Sequence, residues 1–305
     1  MNKTRRQVFA LLGSTLLSAC GAPAIVARDK NDPFEGGIGG TGIVGTLDGF
    51  GSLLINGLKV ELASRTSFST PYGAVALNDL TPGQVLTVSA RKSGGGITAR
   101  DVAIDYALVG PLHRVGTAAS VNGIPLVGWQ AARGHGRTNE RVAVSGVWTP
   151  AGVRPSRIDP APHGLDLIAG TVDAGRIGGI ELRASGSLPL SGTYAVALGR
   201  MAHNSFEVER FHEGRFATLR NLELLSVDGY LEATAAAPGF RIAGLGHSFA
   251  NNLRLGGIGE RRAIYVGLYN GDFAARRGYL VPDQFAERQQ LLRGGLKAVR
   301  SLEIS

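Results

Sequence analysis

Apolar and polar residues alternate along this chain in short runs, and glycine-rich turns separate the runs. Leu58, Val60 and Leu62 alternate with Lys59 and Glu61, the period of a strand with one buried face. Similar runs predict strands at 52–55, 85–90, 97–104, 140–146, 153–158, 168–172, 192–198, 205–209, 224–231 and 263–268. The turn signals between them are Asp48-Gly49, Asn56-Gly57, Pro82-Gly83, the glycines 94–96 and Asn270-Gly271. Asn-Gly and Asp-Gly supply the positive φ that tight hairpins require. One segment departs from this pattern. Residues 284–293 read as a helix capped by Asp283 and broken by Gly294-Gly295, with 296–304 as a last strand or helical turn.

The runs group into weakly similar units. Ser120-Val121-Asn122-Gly123-Ile124-Pro125 echoes Leu54-Ile55-Asn56-Gly57-Leu58-Lys59, and the run from Glu140 to Gly146 echoes that from Gln84 to Ala90. The expected fold is all-β, a tandem of small β-barrels (OB-like or SH3-like) with a short C-terminal helix. The expected divisions are a signal over 1–20, a tether over 21–36, barrel units at 37–106, 107–162, 163–218 and 219–281, and a helical tail at 282–305. Linkers are expected at 159–164 and near Gly214.

The opening Gly-Gly-Ile-Gly-Gly-Thr-Gly from Gly36 is the first of several motifs in the first unit. Gly49-Phe50-Gly51-Ser52 with Ile55-Asn56-Gly57, Leu80-Thr81-Pro82-Gly83-Gln84-Val85, and Ala99-Arg100-Asp101-Val102 complete the set. Over Gly37 to Tyr106 the chain resembles the bacterial family called domain of unknown function 5666. That resemblance implies small β-barrel repeats in an exported protein, and no activity.

The first twenty residues carry an address. Lys3, Arg5 and Arg6 form a positive n-region, and the apolar run from Val8 to Leu17 is too short to span a membrane. Leu17-Ser18-Ala19-Cys20 follows. It resembles the lipobox of bacterial lipoproteins, which implies cleavage between Ala19 and Cys20, diacylglycerol on the Cys20 thiol and acylation of the new N-terminus. Several acyl chains anchor firmly where one is marginal. Gly21 follows instead of the aspartate that retains lipoproteins at the inner membrane, so the expected location is the periplasmic face of the outer membrane. Thr4-Arg5-Arg6-Gln7-Val8-Phe9 also partly matches a twin-arginine export signal.

Composition narrows the chemistry. Cys20 is the only cysteine, so its acylation leaves no thiol nucleophile, thiolate metal site or intramolecular disulfide. The net charge is +8; the signal carries three of the positive charges and no acid, which leaves about +5 for the remainder. The 45 glycines stand far above the ordinary ~7% and fit short strands with tight turns. The stretch Gly37-Ile38-Gly39-Gly40-Thr41-Gly42 satisfies G-x-G-x-x-G, but a strand follows it instead of a helix N-terminus, which argues against a phosphate cradle.

The six histidines lack metal-ligand spacing, no G-x-S-x-G elbow exists, and Gly246-His247-Ser248 suggests a hydrolase only by residue type. Arg133, His135 and Arg137 form a candidate loop for an anionic ligand. Asp101 and Asp105 share a strand face, while Trp129, Trp148, Tyr265, Tyr269 and Tyr279 are candidates for stacking or for the core. The expected function is a non-enzymatic, membrane-anchored binding or scaffold module without metal or cofactor. Its expected partners are the membrane through its lipid, and another envelope protein or acidic polysaccharide, with no nucleic acid. The competing expectation is a hydrolase of envelope polysaccharide that uses carboxylates from different units.

Overall fold

A computed structural model describes residues 40–93, 96–215, 222–233, 240–246, 261–269 and 273–303. Ala19, Cys20, the tether, Gly94-Gly95, His247-Ser248, Asn270-Gly271 and Ile304 lie outside the described residues.

The first strand group is β1 (Gly40–Gly49), β2 (Leu53–Ile55), β3 (Leu58–Thr70), β4 (Gly73–Ala74), β5 (Val85–Ser93) and β6 (Gly96–Asp105). β1, β2 and β3 pair antiparallel in turn, β3 pairs parallel with β6, and β6 returns through β5 to β1. That circuit closes a five-strand barrel around Ile43, Leu47, Leu53, Ile55, Val60, Leu86, Val88 and Ile104. The predicted alternation holds on β3, where buried Val60 sits between exposed Lys59 and Glu61.

Asn56 and Gly57 turn β2 into β3 with φ of 54° and 71°, as a two-residue hairpin requires. The turn expected at Asp48-Gly49 is displaced. Both residues extend β1, and the chain reverses through Phe50-Gly51-Ser52 with Gly51 at φ 122°. Asp48 is held in the strand by an ion pair with a residue 240 positions away, which overrides its local turn preference.

The second group is β7 (Leu108–Val115), β8 (Ala118–Val121), β9 (Ile124–Pro125), β10 (Arg133–Gly134), β11 (Arg141–Thr149) and β12 (Gly152–Pro160). The third is β13 (Asp166–Thr171), β14 (Arg176–Ile177), β15 (Ile180–Arg183), β16 (Tyr194–Ala202) and β17 (Ser205–Glu213). The fourth is β18 (Leu222–Ala233), β19 (Phe240–Ile242), β20 (Arg262–Tyr269) and β21 (Phe273–Leu280). Helix α1 (Phe285–Leu292) and strand β22 (Ser301–Glu303), which pairs with β21, follow.

The pairing order of the barrel recurs. In the second group β7 pairs with β8 and β8 with β9, β10 lies parallel to β12, and β12 returns through β11 to β7. In the third, β15 lies parallel to β17, which returns through β16 to β13. Each long hairpin also slips register at the same place, at Ser89/Ala90, Ser145/Gly146, Leu198/Gly199 and Val266/Gly267. Such bulges bend a sheet toward closure.

Closure is nevertheless shown only once: one barrel is closed, and the second sheet is open. The connecting strands explain the difference. β9, β10 and β14 have two residues each, and among the described residues isolated bridges at Leu126↔Val153 and Asp173↔Arg176 are what extends them. β7 pairs with β13 and joins groups two and three into one eleven-stranded sheet. β18 instead lies parallel to β1 and adds the fourth group to the barrel.

A buried asparagine marks the hairpin in each of the first two groups. Asn56 donates to the carbonyl of Val44 at 3.0 Å and to the Ser226 hydroxyl at 3.1 Å. Asn122 donates to the carbonyls of Val109 at 2.9 Å and Leu167 at 3.0 Å. Each side chain fills the space over a glycine, Gly45 or Gly110, so the strand that carries the glycine is pinned to its next neighbour.

Polar contacts stitch the groups together. Arg157 and Ser156 of β12 donate to the carbonyls of Pro82 and Gly83 in the first group's turn, at 3.2 and 2.7 Å. Arg141 donates to the carbonyls of Pro162 and Leu165 and pairs with Asp166 at 2.9 Å, which shapes the predicted linker.

Helix α1 differs from expectation at its start. Asp283 does not cap it, and Gln284 precedes the first turn without a side-chain cap. The Asp283 carboxylate instead accepts a hydrogen bond from Tyr230 and pairs with Arg154 at 3.5 Å. The helix buries Phe285, Arg288 and Leu292, and a short turn at Leu296–Ala298 leads to β22.

Candidate functional site

The first feature is an apolar cleft of about 780 Å³ at one mouth of the barrel. Phe50 of the β1–β2 turn and Leu77 of the turn before β5 form its rim, exposed by 50% and 42%. Buried Leu53 and Leu80 form its floor, and Leu62 of β3 forms a wall. β3 slips register against β6 between Leu62 and Ser67, which loosens the barrel beside that wall. Among the described residues Glu61 is the sole charged residue of the lining; Ser52 and Asn78 add polar atoms. A concave, mostly apolar surface with few polar groups suits a ligand site. The sequence motif held a signal for it, since an aromatic between two glycines in a turn has no core to enter.

The second feature is a buried ion network where β1, β18, β20 and α1 meet. Arg288 pairs with Asp48 at 3.1 Å and with Asp228 at 3.3 Å, and Arg262 pairs with Asp228 at 2.6 Å. Arg262 also donates to Thr46 at 3.0 Å, and Arg288 to Asn56 Oδ1 at 3.2 Å. Gln289 donates to the carbonyl of Asp48. Asp48, Asp228, Arg262 and Arg288 are each at most 3% exposed. Burial pushes Asp48 up to about 6 against the pull of Arg288. Burial also pushes Asp228 up, but Arg262 and then Arg288 outweigh it and hold that carboxyl below its usual range.

This network ties α1 to the barrel, and its four charged side chains are buried. It brings together carboxylates from the first and fourth groups, each already committed to an arginine. It also sets a pH dependence. Asp48 titrates near 3.8 when unfolded and near 6 when folded, so between those values the folded state binds more protons. Stability is therefore expected to fall as pH rises through 6, by at most about 3 kcal/mol. Denaturant midpoints at pH 5 and pH 7.5 read the effect, and Asp48→Asn is expected to flatten it. A midpoint that rises over that interval in the parent protein would contradict this assignment.

The remaining sequence candidates are dispersed. Arg133, His135 and Arg137 are exposed. The Arg133 guanidinium lies 5.0 Å from the ring centre of Phe285 in α1, and the Arg137 amide donates to Glu140 at 2.8 Å. Asp101 is exposed and accepts from Ser67 at 2.6 Å. Asp105 is pushed up by burial, though Arg215 and Thr87 contact it. Trp148 is a core residue whose indole N–H donates to Ala169 at 2.8 Å. Trp129 is half-buried, donates to Thr117 at 3.0 Å and carries Arg114 over its ring at 4.6 Å.

Tyr265 and Tyr279 are buried, while Tyr269 is half-buried at the end of β20. His113, His135, His163, His203 and His212 are all exposed. Among the described residues, no group of three or more His, Cys, Asp or Glu side chains is placed to hold a metal ion. No family model, curated protein or solved structure matches this chain.

Proposed function

We propose that this chain is a lipid-anchored, non-enzymatic binding module of the bacterial envelope, held at the periplasmic face of the outer membrane through Cys20. The observation that carries the reading is Leu17-Ser18-Ala19-Cys20 at the end of a charged, then apolar leader. Recurring strand order and the hairpin motifs support a tandem of small barrel-like repeats of the kind the domain of unknown function 5666 family implies. The barrel cleft is the binding surface. Its occupant is an apolar segment of another envelope protein with a basic residue beside it, because Glu61 attracts a cation and repels an anionic headgroup.

Cells fed an alkyne analogue of palmitate are expected to label the parent protein, while Cys20→Ala loses both the label and membrane association. A labelled, membrane-bound Cys20→Ala protein would refute the anchor. For the cleft, a fluorescent leucine-rich peptide with one lysine is expected to bind more tightly than its glutamate twin. Phe50→Ser with Leu77→Ser is expected to weaken it about tenfold or more, and Glu61→Gln to erase the lysine preference. Equal binding to the double variant would remove the cleft from the reading.

A further inference from the structure

We propose that the Gly49-Phe50-Gly51 turn is a hinged lid that closes over the occupant of the barrel cleft, and that helix α1 walls the place where the open lid rests. The inference rests on the cleft being the binding surface and adds how access to it is controlled.

Phe50 borders two cavities. One is the cleft, and the other encloses about 260 Å³ between the same turn and α1. Leu53 and Leu54 are neighbours on β2 and so point to opposite faces of the strand. Leu53 lines the cleft and Leu54 lines the second cavity. The cavities therefore lie on the two faces of one hairpin, with Phe50 at its tip. Each offers apolar cover: Leu62, Leu77 and Leu80 on the cleft side, Leu54 and Leu292 on the α1 side. Between them Phe50 is 50% exposed, and among the described residues no second ring or cation is stacked on it. Apolar surface left in water is unfavourable, and either cavity would cover more of it. A side chain that two cavities border and neither encloses is poised between two positions.

The backbone of the turn is permissive and its ends are fixed. Gly51 holds φ at 122°, and an added Cβ there would meet nothing within 4 Å. At Gly49 an added Cβ would meet only Leu54 Cδ1, at 3.6 Å. Glycine tolerates φ of either sign, so neither residue resists a change of turn shape. Movement stops on both sides. Asp48 is clamped by Arg288 and Gln289 of α1, and Leu53 is fully buried in the barrel. A short permissive segment between two fixed points is the arrangement of a hinged lid. With Phe50 toward α1 the cleft is open to an incoming apolar segment. With Phe50 toward Leu77 it covers that segment and delays its release.

The full chain in lipid nanodiscs carries 4-fluorophenylalanine at position 50 and a nitroxide on Asn78→Cys, which lines the same cleft. Without peptide, Leu54→Trp fills the α1-side cavity and is expected to raise paramagnetic broadening of the fluorine signal about twofold, while Leu54→Ala lowers it. Equal broadening in the parent and both folded variants overturns the lid. Stopped-flow binding of the leucine-rich, lysine-bearing peptide supplies a second measurement. Phe50→Ala is expected to speed dissociation about tenfold and association about threefold, because a contact on the rim acts on dissociation whereas a lid also delays entry. Unchanged or slower association in Phe50→Ala overturns the lid even where affinity falls. A parent chain that binds no peptide refutes the cleft as the binding surface instead, and the broadening series decides the movement of the turn independently.

Discussion

Arg288→Met is expected to destabilise the protein by about 3–5 kcal/mol, measured by denaturant unfolding at pH 7.5. The change keeps side-chain volume close to that of arginine but removes the cation between Asp48 and Asp228. Asp228 keeps Arg262 at 2.6 Å, while Asp48 loses its ion pair with Arg288 in a buried site. An unpaired buried carboxylate costs more than the pair was worth, because desolvation no longer has a compensating charge. The same logic predicts rescue. Adding Asp48→Asn to Arg288→Met removes the orphaned charge and is expected to recover a large part of the loss. Additive costs in the double variant would mean that the two residues act independently, contrary to the geometry. Lowering the pH toward 5 is expected to narrow the gap between Arg288→Met and the parent, since protonation of Asp48 does the work of the asparagine.

Gly110→Ala is expected to cost a similar amount, about 3–5 kcal/mol. An added Cβ would fall 2.2 Å from Asn122 Oδ1, inside any permissible contact. Asn122 cannot yield cheaply. It is 3% exposed, holds φ at 52° in its hairpin, and bonds the carbonyls of Val109 and Leu167. Its displacement would break both bonds and loosen β7 from β13. Gly186→Ala is the matched control, since nothing lies within 4 Å of its added Cβ, and it is expected to stay within about 0.5 kcal/mol of the parent. Equal stability of the two variants, read from urea midpoints, would show that the asparagine is not a fixed strut.

The two asparagines also show how repeats diverge. Arg288 donates to Asn56 Oδ1, while Asn122 Oδ1 has no hydrogen-bond partner. Helix α1 thus supplies the first group with a contact that the second lacks. The sequence echo around Asn-Gly was visible, but this difference was not, because the helix residue lies 232 positions away from Asn56.

Local chemistry made much of the architecture readable. Asn56-Gly57 and Asn122-Gly123 announce hairpins because few other dipeptides accept two positive φ values in succession. The alternation of Leu58 to Leu62 announces a strand because its period matches the pleat. Asp48-Gly49 and Asp283 were misleading for one shared reason. Each aspartate has a strong local preference, for a turn or a helix cap, and each is claimed by a distant partner instead. The cleft was only half legible: Gly49-Phe50-Gly51 showed an odd aromatic, but Leu77 and Leu62 reach it through the barrel's closure.

Sequence alone supplies the leader reading, the strand and turn alternation, and the lack of any thiol beyond Cys20. These depend on short stretches, each readable in isolation by a peptidase, a pleat or a hairpin. Tertiary structure decided which strand groups close. It also placed β18 parallel to β1 and buried four charges where α1 meets the barrel. Those outcomes depend on pairings between residues far apart in the chain. Their free energy comes from desolvation and mutual contact in the folded state, which no local preference encodes.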